Sequence, residues 1–171
     1  MNSAAVIRMY REEAKTTAEI SSLEVYEIAV GKREGNRTAA LRTFERLGES
    51  LGDALITALN LVDGLVVIGG GVTGAYKLFA PAMIATINST LGRADSTARM
   101  HRSELTAYDV ESTADLQQFA ANTSQKVSIP NTNISALYDP TKRTGIGISR
   151  MGDSLAMATG AYCFALYQLD K

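Results

Sequence analysis

The stretch Gly64-Leu65-Val66-Val67-Ile68-Gly69-Gly70-Gly71-Val72-Thr73-Gly74-Ala75 limits the choice of fold more than any other part of the chain. Leu65 to Ile68 is a short apolar run without polar alternation, the pattern of a strand covered on both faces in the middle of an α/β sheet. Three glycines follow. They permit positive φ and leave bare backbone above the strand end. Val72 to Ile87 then reads as a helix, with Thr73 as its cap. A glycine turn between a buried strand and a helix N-terminus suits a phosphate or a ribose-linked group. The spacing matches neither the G-x-G-x-x-G dinucleotide fingerprint nor a Walker loop, and a ligand-free tight turn is also compatible with it.

Helical periodicity dominates the first third of the chain. Residues 3 to 15 form one predicted helix, with Val6, Met9 and Tyr10 on one face. Ser21 and Glu24 have capping-box spacing and open a second helix to about Val30, with Val25, Ile28 and Ala29 inward. Asn36 caps a long third helix, in which Ala40, Phe44, Leu47, Leu51, Leu55, Leu59 and Val62 recur at helical spacing. Gly48 and Gly52 stand four apart on it. Each costs about 1 kcal/mol against alanine, so close approach of a neighbouring element is expected there. Gly64 is read as the left-handed residue that ends this helix.

After the glycines the pattern is more broken. Pro81 predicts a helix restart or a first-turn position. Residues 88 to 103 are polar and irregular, open to reading as a ligand-contacting or a mobile loop; they contain the only histidine, His101, with no partner nucleophile in view. A strand over Glu104–Val110, a short helix over Thr113–Ala121 and an edge strand over Lys126–Pro130 come next. Ile134–Tyr138 and Thr144–Ser149 read as a hairpin turning at Pro140. In Thr144-Gly145-Ile146-Gly147-Ile148 the glycines alternate with isoleucines at period two, which argues for a strand and against a phosphate loop. A last helix runs from Ser154 to Leu169. Gly160 suggests tight packing, and Cys163 is read as a small core residue.

The 171 residues suit one domain with a sizeable core, and a hydrophobic share of 46% is ordinary for a globular chain. A formal net charge of −1 advertises no surface for nucleic acid. One cysteine excludes a disulfide framework and a thiolate zinc site. No apolar run approaches the roughly 18 residues of a membrane span, and no apolar signal core opens the chain, so a soluble cytoplasmic protein is expected.

Val66-Val67-Ile68-Gly69-Gly70-Gly71-Val72-Thr73-Gly74-Ala75 resembles the adenosine motif of the sugar-kinase/actin-like ATPase superfamily, in phrasing nearest to the ROK family of bacterial sugar kinases and repressors. The resemblance continues upstream through Phe44–Leu55 and Asn60–Asp63, and downstream through Tyr138–Arg143 and Gly160-Ala161-Tyr162. It covers nearly all of residues 1–171, as the C-terminal portion of a two-lobe kinase.

That resemblance implies an α/β fold: a ribonuclease-H-like (actin-like ATPase) lobe, with a mixed sheet flanked by helices on both sides and incomplete. It implies a parent enzyme of glucokinase type, using ATP with Mg²⁺ to phosphorylate a hexose, and forming a homo-oligomer. Gly69, Gly70, Gly71, Val72 and Thr73 would lie along the adenosine and α-phosphate of ATP. The family's Asp-x-Gly-x-Thr phosphate loop, Asn-Asp base pair, second glycine loop and Glu-x-Gly-His sugar element do not occur in this sequence. No catalytic base and no metal ligand is therefore named. Asp53, Asp63 and Asp139 are read as helix surface, helix end and turn, and the chain alone is expected to be inactive. A lobe of a sugar-responsive ROK repressor and a non-catalytic dimerisation module are the alternatives.

Overall fold

A computed structural model of the chain describes residues 3–92, 97 and 99–169. Three helices come first: α1 (Ser3–Ala14), α2 (Ser22–Ala29) and α3 (Arg37–Leu59). The capping box forms as expected: the Glu24 amide donates to Ser21 Oγ at 3.2 Å, and the Ser21 amide donates to Glu24 Oε2 at 2.7 Å. Asn36 Oδ1 accepts the Ala39 amide at 3.0 Å and starts α3. Val6, Met9 and Tyr10 of α1 and Val25, Ile28 and Ala29 of α2 are all buried. Arg46 of α3 reaches Glu12 and Glu13 of α1 at 3.1 and 2.8 Å, a partly exposed pairing that joins the two helices.

Helix α3 ends sooner than its periodicity suggests. It is capped by Asn60, and Leu61 and Val62 are exposed. Gly64 is not among the glycines with positive φ, so it does not stop the helix; its carbonyl instead accepts the Thr144 hydroxyl at 2.7 Å. Strand β1 (Val66–Ile68) follows, then a 3-10 turn over Thr73–Ala75 and helix α4 (Tyr76–Ile87). Pro81 lies inside α4 without a restart. Its missing N–H leaves the Lys77 carbonyl without a helical donor, and Lys77 is exposed, so water can supply one.

Helices α3 and α4 pack at close range, and the two glycines of α3 make this possible. A Cβ at Gly48 would sit 2.2 Å from the Phe79 carbonyl oxygen, and one at Gly52 would sit 2.6 Å from Thr86 Cβ. Around this contact Phe44, Leu47, Phe79 and Met83 are wholly buried and form the centre of the core.

The remaining strands are β2 (Thr90–Gly92), β3 (Arg99–His101), β4 (Thr106–Asp109), β5 (Gln125–Ser128), β6 (Ser135–Tyr138) and β7 (Arg143–Ile148); α5 (Thr113–Phe119) follows β4 and α6 (Asp153–Leu169) follows β7. The β2–β3 ribbon shows that part of the 88–103 stretch is ordered antiparallel structure. The main sheet has the order β1-β7-β4 and is wholly parallel; antiparallel pairing is confined to the β2–β3 and β5–β6 ribbons. The architecture is α/β as expected, though without a single mixed sheet among the described residues. Helix α4 packs against one side of β4, and α5 against β4 and β7.

Two expectations about this sheet are corrected. β1 is an edge strand, not the middle one, and Val67 on its outer face is 66% exposed. The middle strand is β7, and its hairpin with Ile134–Tyr138 does not form: β6 pairs with β5, while β7 pairs in parallel with β1 and β4. The turn explains the divergence. Asp139 accepts from Thr123 Oγ1 at 2.6 Å and from the Thr141 amide at 2.9 Å and pairs with Arg143, while Arg143 also donates to the Phe119 and Ala121 carbonyls. The chain is thereby directed to the end of α5 instead of back along β6.

Ile146 is buried on the core side of β7, and the alternate glycines lie beneath Val110. A Cβ at Gly145 or Gly147 would come within 2.7 Å of a Val110 methyl. On the other edge of the sheet, Asn88 at the end of α4 holds β4: its side chain donates to the Ala107 carbonyl at 2.9 Å and accepts the Ala107 amide at 2.8 Å.

Helix α6 departs furthest from expectation. Every side chain from Leu155 to Leu169 is exposed, Cys163 included, and nothing lies within 4 Å of a Cβ at Gly160. Cys163 is therefore not a core residue, and Gly160 does not mark a close contact. No described helix is long and apolar enough to cross a membrane.

Candidate functional site

Because β1, β7 and β4 run in parallel, their C-terminal ends, Ile68, Ile148 and Asp109, emerge on one edge of the sheet. Open α/β sheets bind ligands in the crevice beyond such ends. A cleft of about 890 Å³ lies there, within the usual range for small-molecule sites. One wall is apolar, built from Tyr26 of α2, Val30 at its C-terminal cap and Leu78 of α4. A polar wall comes from the end of β4 and the chain leaving β4 and β7: Asp109, Glu111, Ser112 and Arg150. Thr73, Gly74 and Lys77 form the side next to the glycine turn.

The polar wall is held by specific bonds. Tyr76 Oη donates to Asp109 Oδ1 at 2.9 Å and lies 3.2 Å from the Ile146 carbonyl, joining α4 to β4 and β7. Burial, and then the Asp109 carboxylate, push the Tyr76 phenol well above its ordinary pKa, so it stays protonated and remains a donor. Asp109 Oδ1 also accepts the Glu111 amide at 3.0 Å. Glu111 joins the two strand exits: Oε1 accepts the Ile148 amide at 3.0 Å, and Oε2 pairs with Arg150 Nη2 at 2.7 Å.

The glycine turn stands beside this cleft. Gly69 and Gly71 are exposed, Gly70 is half-buried with φ +95°, and an added Cβ at any of the three would meet nothing within 4 Å. Gly70 therefore uses a backbone region that side chains disfavour. Val72 packs partly against the core. Thr73 does not cap α4; its hydroxyl donates back to the Gly70 carbonyl at 2.9 Å and tightens the turn. Of the five residues singled out in the sequence, Thr73 lines the cleft, while Gly69, Gly70, Gly71 and Val72 lie outside its lining.

The carboxylates at the site are Asp109 and Glu111, which the sequence reading did not single out. The signal for them was an acidic pair at the C-terminal end of an expected strand, where α/β sheets place ligands. The three carboxylates it did weigh lie elsewhere: Asp53 pairs with Arg102 at 2.7 Å, Asp63 is exposed before β1, and Asp139 holds the turn before β7. His101 lines two smaller cavities, of about 360 and 610 Å³, at the opposite end of the sheet. Among the described residues, no group of three or more His, Cys, Asp or Glu side chains is placed to hold a metal ion.

No protein-family model and no curated protein matches the chain. Among solved structures it is similar to a glucokinase from Parabacteroides distasonis ATCC 8503, with 39% sequence identity and a TM-score of 0.80. The match covers 95% of this chain and 43% of that one, so the chain spans less than half the length of the glucokinase it resembles. The glucokinase likeness carried by the motif around Gly69–Gly71 thus extends in three dimensions over nearly the whole chain.

Proposed function

We propose that this chain is the C-terminal, nucleotide-side lobe of a ROK-type glucokinase, which phosphorylates a hexose with ATP and Mg²⁺. The supporting observation is the cleft at the C-terminal edge of the parallel sheet, beside a glycine turn with open space above it. The apolar wall of Tyr26, Val30 and Leu78 suits a flat base and the polar wall suits a ribose; in this reading Gly69, Gly70, Gly71, Val72 and Thr73, of which Thr73 lines the cleft, would lie along the adenosine and α-phosphate. The glycines fit a nucleotide because side chains at these positions would project into the space it needs. No residue of this chain is assigned to Mg²⁺ or to the base that accepts the sugar hydroxyl's proton, and the chain by itself is proposed to be inactive.

Thermal stabilisation by ADP tests this reading. A ligand present at 100 times its Kd adds about 2.7 kcal/mol of apparent stability. A positive ADP-dependent shift is expected, and it should vanish in Gly71→Val, which fills the open space at a glycine without positive φ. An unchanged shift in Gly71→Val, or no shift in the wild-type chain at any ADP concentration, would refute the proposal.

A further inference from the structure

We infer that Arg150 is the residue that reads the phosphate end of the nucleotide; this rests on the nucleotide reading above. Strand β7 leaves the sheet at Ile148, and the next amide, Ser149, donates to the Ile68 carbonyl at 2.8 Å. That bond fixes the exit of β7 against the last residue before Gly69. Arg150 follows at once and lines the cleft, with its guanidinium 2.7 Å from Glu111.

Two cations line the cleft, Arg150 and Lys77. Arg150 has the planar fork that matches two phosphate oxygens at once, which an ammonium does not offer. Its side chain is 80% exposed, whereas the Glu111 carboxylate that holds it is 20% exposed and fixed by the Ile148 amide. The guanidinium is the exposed partner, so it can turn toward a phosphate while Glu111 keeps its bond from the Ile148 amide. Asp109 lines the same cleft without a cation partner of its own among the described ion pairs, so the Arg150 guanidinium is the part of this wall that attracts a phosphate.

The test compares the binding of ADP and adenosine to the wild-type chain and to Arg150→Ala, by titration calorimetry at low salt. Because Arg150 is a surface residue beyond the strand end, the variant is expected to keep the wild-type melting temperature. ADP binding should weaken tenfold or more, adenosine binding should change less than twofold, and added salt should erase most of the wild-type preference for ADP. Equal losses for both ligands, or no loss for either, would overturn the assignment while leaving the nucleotide reading intact. Absence of binding of both ligands to the wild-type chain would overturn the nucleotide reading, and this inference with it.

Discussion

Tyr76 donates a hydrogen bond to Asp109 at 2.9 Å, and this contact fixes the first residue of α4 against the last residue of β4. Tyr76 is buried, so its phenol gives up most of its access to water for this bond. Replacing Tyr76 by phenylalanine keeps the ring in place but removes a donor to a carboxylate, a loss of about 1.5–3 kcal/mol. For a chain of this size each kcal/mol corresponds to roughly 2–4 °C in melting temperature. The raised phenol pKa adds a pH signature. Stability from the neutral phenol is complete below the ordinary tyrosine value near 10, and it is lost as pH rises beyond that value. Alkaline destabilisation measured by denaturant titration should therefore be smaller in Tyr76→Phe than in the wild-type chain.

The α3–α4 contact yields a second prediction. Gly48→Ala would place a methyl against the Phe79 backbone, which cannot withdraw as a flexible side chain can. Overpacking of this kind costs about 1–3 kcal/mol or more, even though alanine is the better helix former. Gly160→Ala on α6 meets open space and should gain about 0.5–1 kcal/mol of helix stability. The two substitutions are chemically identical, and opposite signs in equilibrium unfolding would confirm that packing decides the outcome. A neutral Gly48→Ala would show that the helices stand further apart than described.

Asp139 supplies a test in acid. The Thr123 hydroxyl, the Thr141 amide and Arg143 together hold its pKa at about 2. The sign follows from the depression: its contribution is present above the ordinary carboxylate value of about 3.9 and is lost as pH falls toward 2. Carboxyl titration by NMR should find Asp139 ionised at a pH where most other carboxylates have taken up protons. Thr123→Val should raise that pKa and loosen the start of β7; an Asp139 that titrates with the other carboxylates would contradict the network.

Cys163 is exposed on α6, so a thiol reagent should label it to completion in native buffer at the rate of the unfolded chain, within about tenfold. Labelling that required denaturant would show that α6 is covered in solution.

What the sequence revealed and what it hid divide along physical lines. The helices were legible because their signals are local. Ser21 with Glu24, Asn36 before α3, and the Val25–Ile28–Ala29 face each depend on residues within one or two turns. Gly48 and Gly52 stood out because glycine in a helix costs energy that only a close neighbour explains. Strand partners were not legible. Ile134–Tyr138 and Thr144–Ser149 are near in sequence and have a proline between them, yet Arg143 and Asp139 send β7 elsewhere. Leu65 and Val67 are as apolar as central-strand residues but lie on an edge, because an apolar run does not say what covers it. The glycine turn was visible as a motif, whereas Asp109 and Glu111 became site residues only once parallel pairing brought three strand ends together.

The position of β7 also sets an order of assembly. Neither β1 nor β4 has the other as a neighbour, so both wait for a strand that is made after them. The bond from Thr144 to Gly64 closes a loop of 80 positions, and contacts of such long range form slowly. On a ribosome, the α1–α4 helices can collapse around Phe44 and Phe79 while the sheet is still two separate ribbons of unpaired backbone. Until β7 emerges, the cleft lacks the wall that Ile148 and Arg150 supply, and a nascent chain halted before Arg143 would present the edges of β1 and β4 to chaperones.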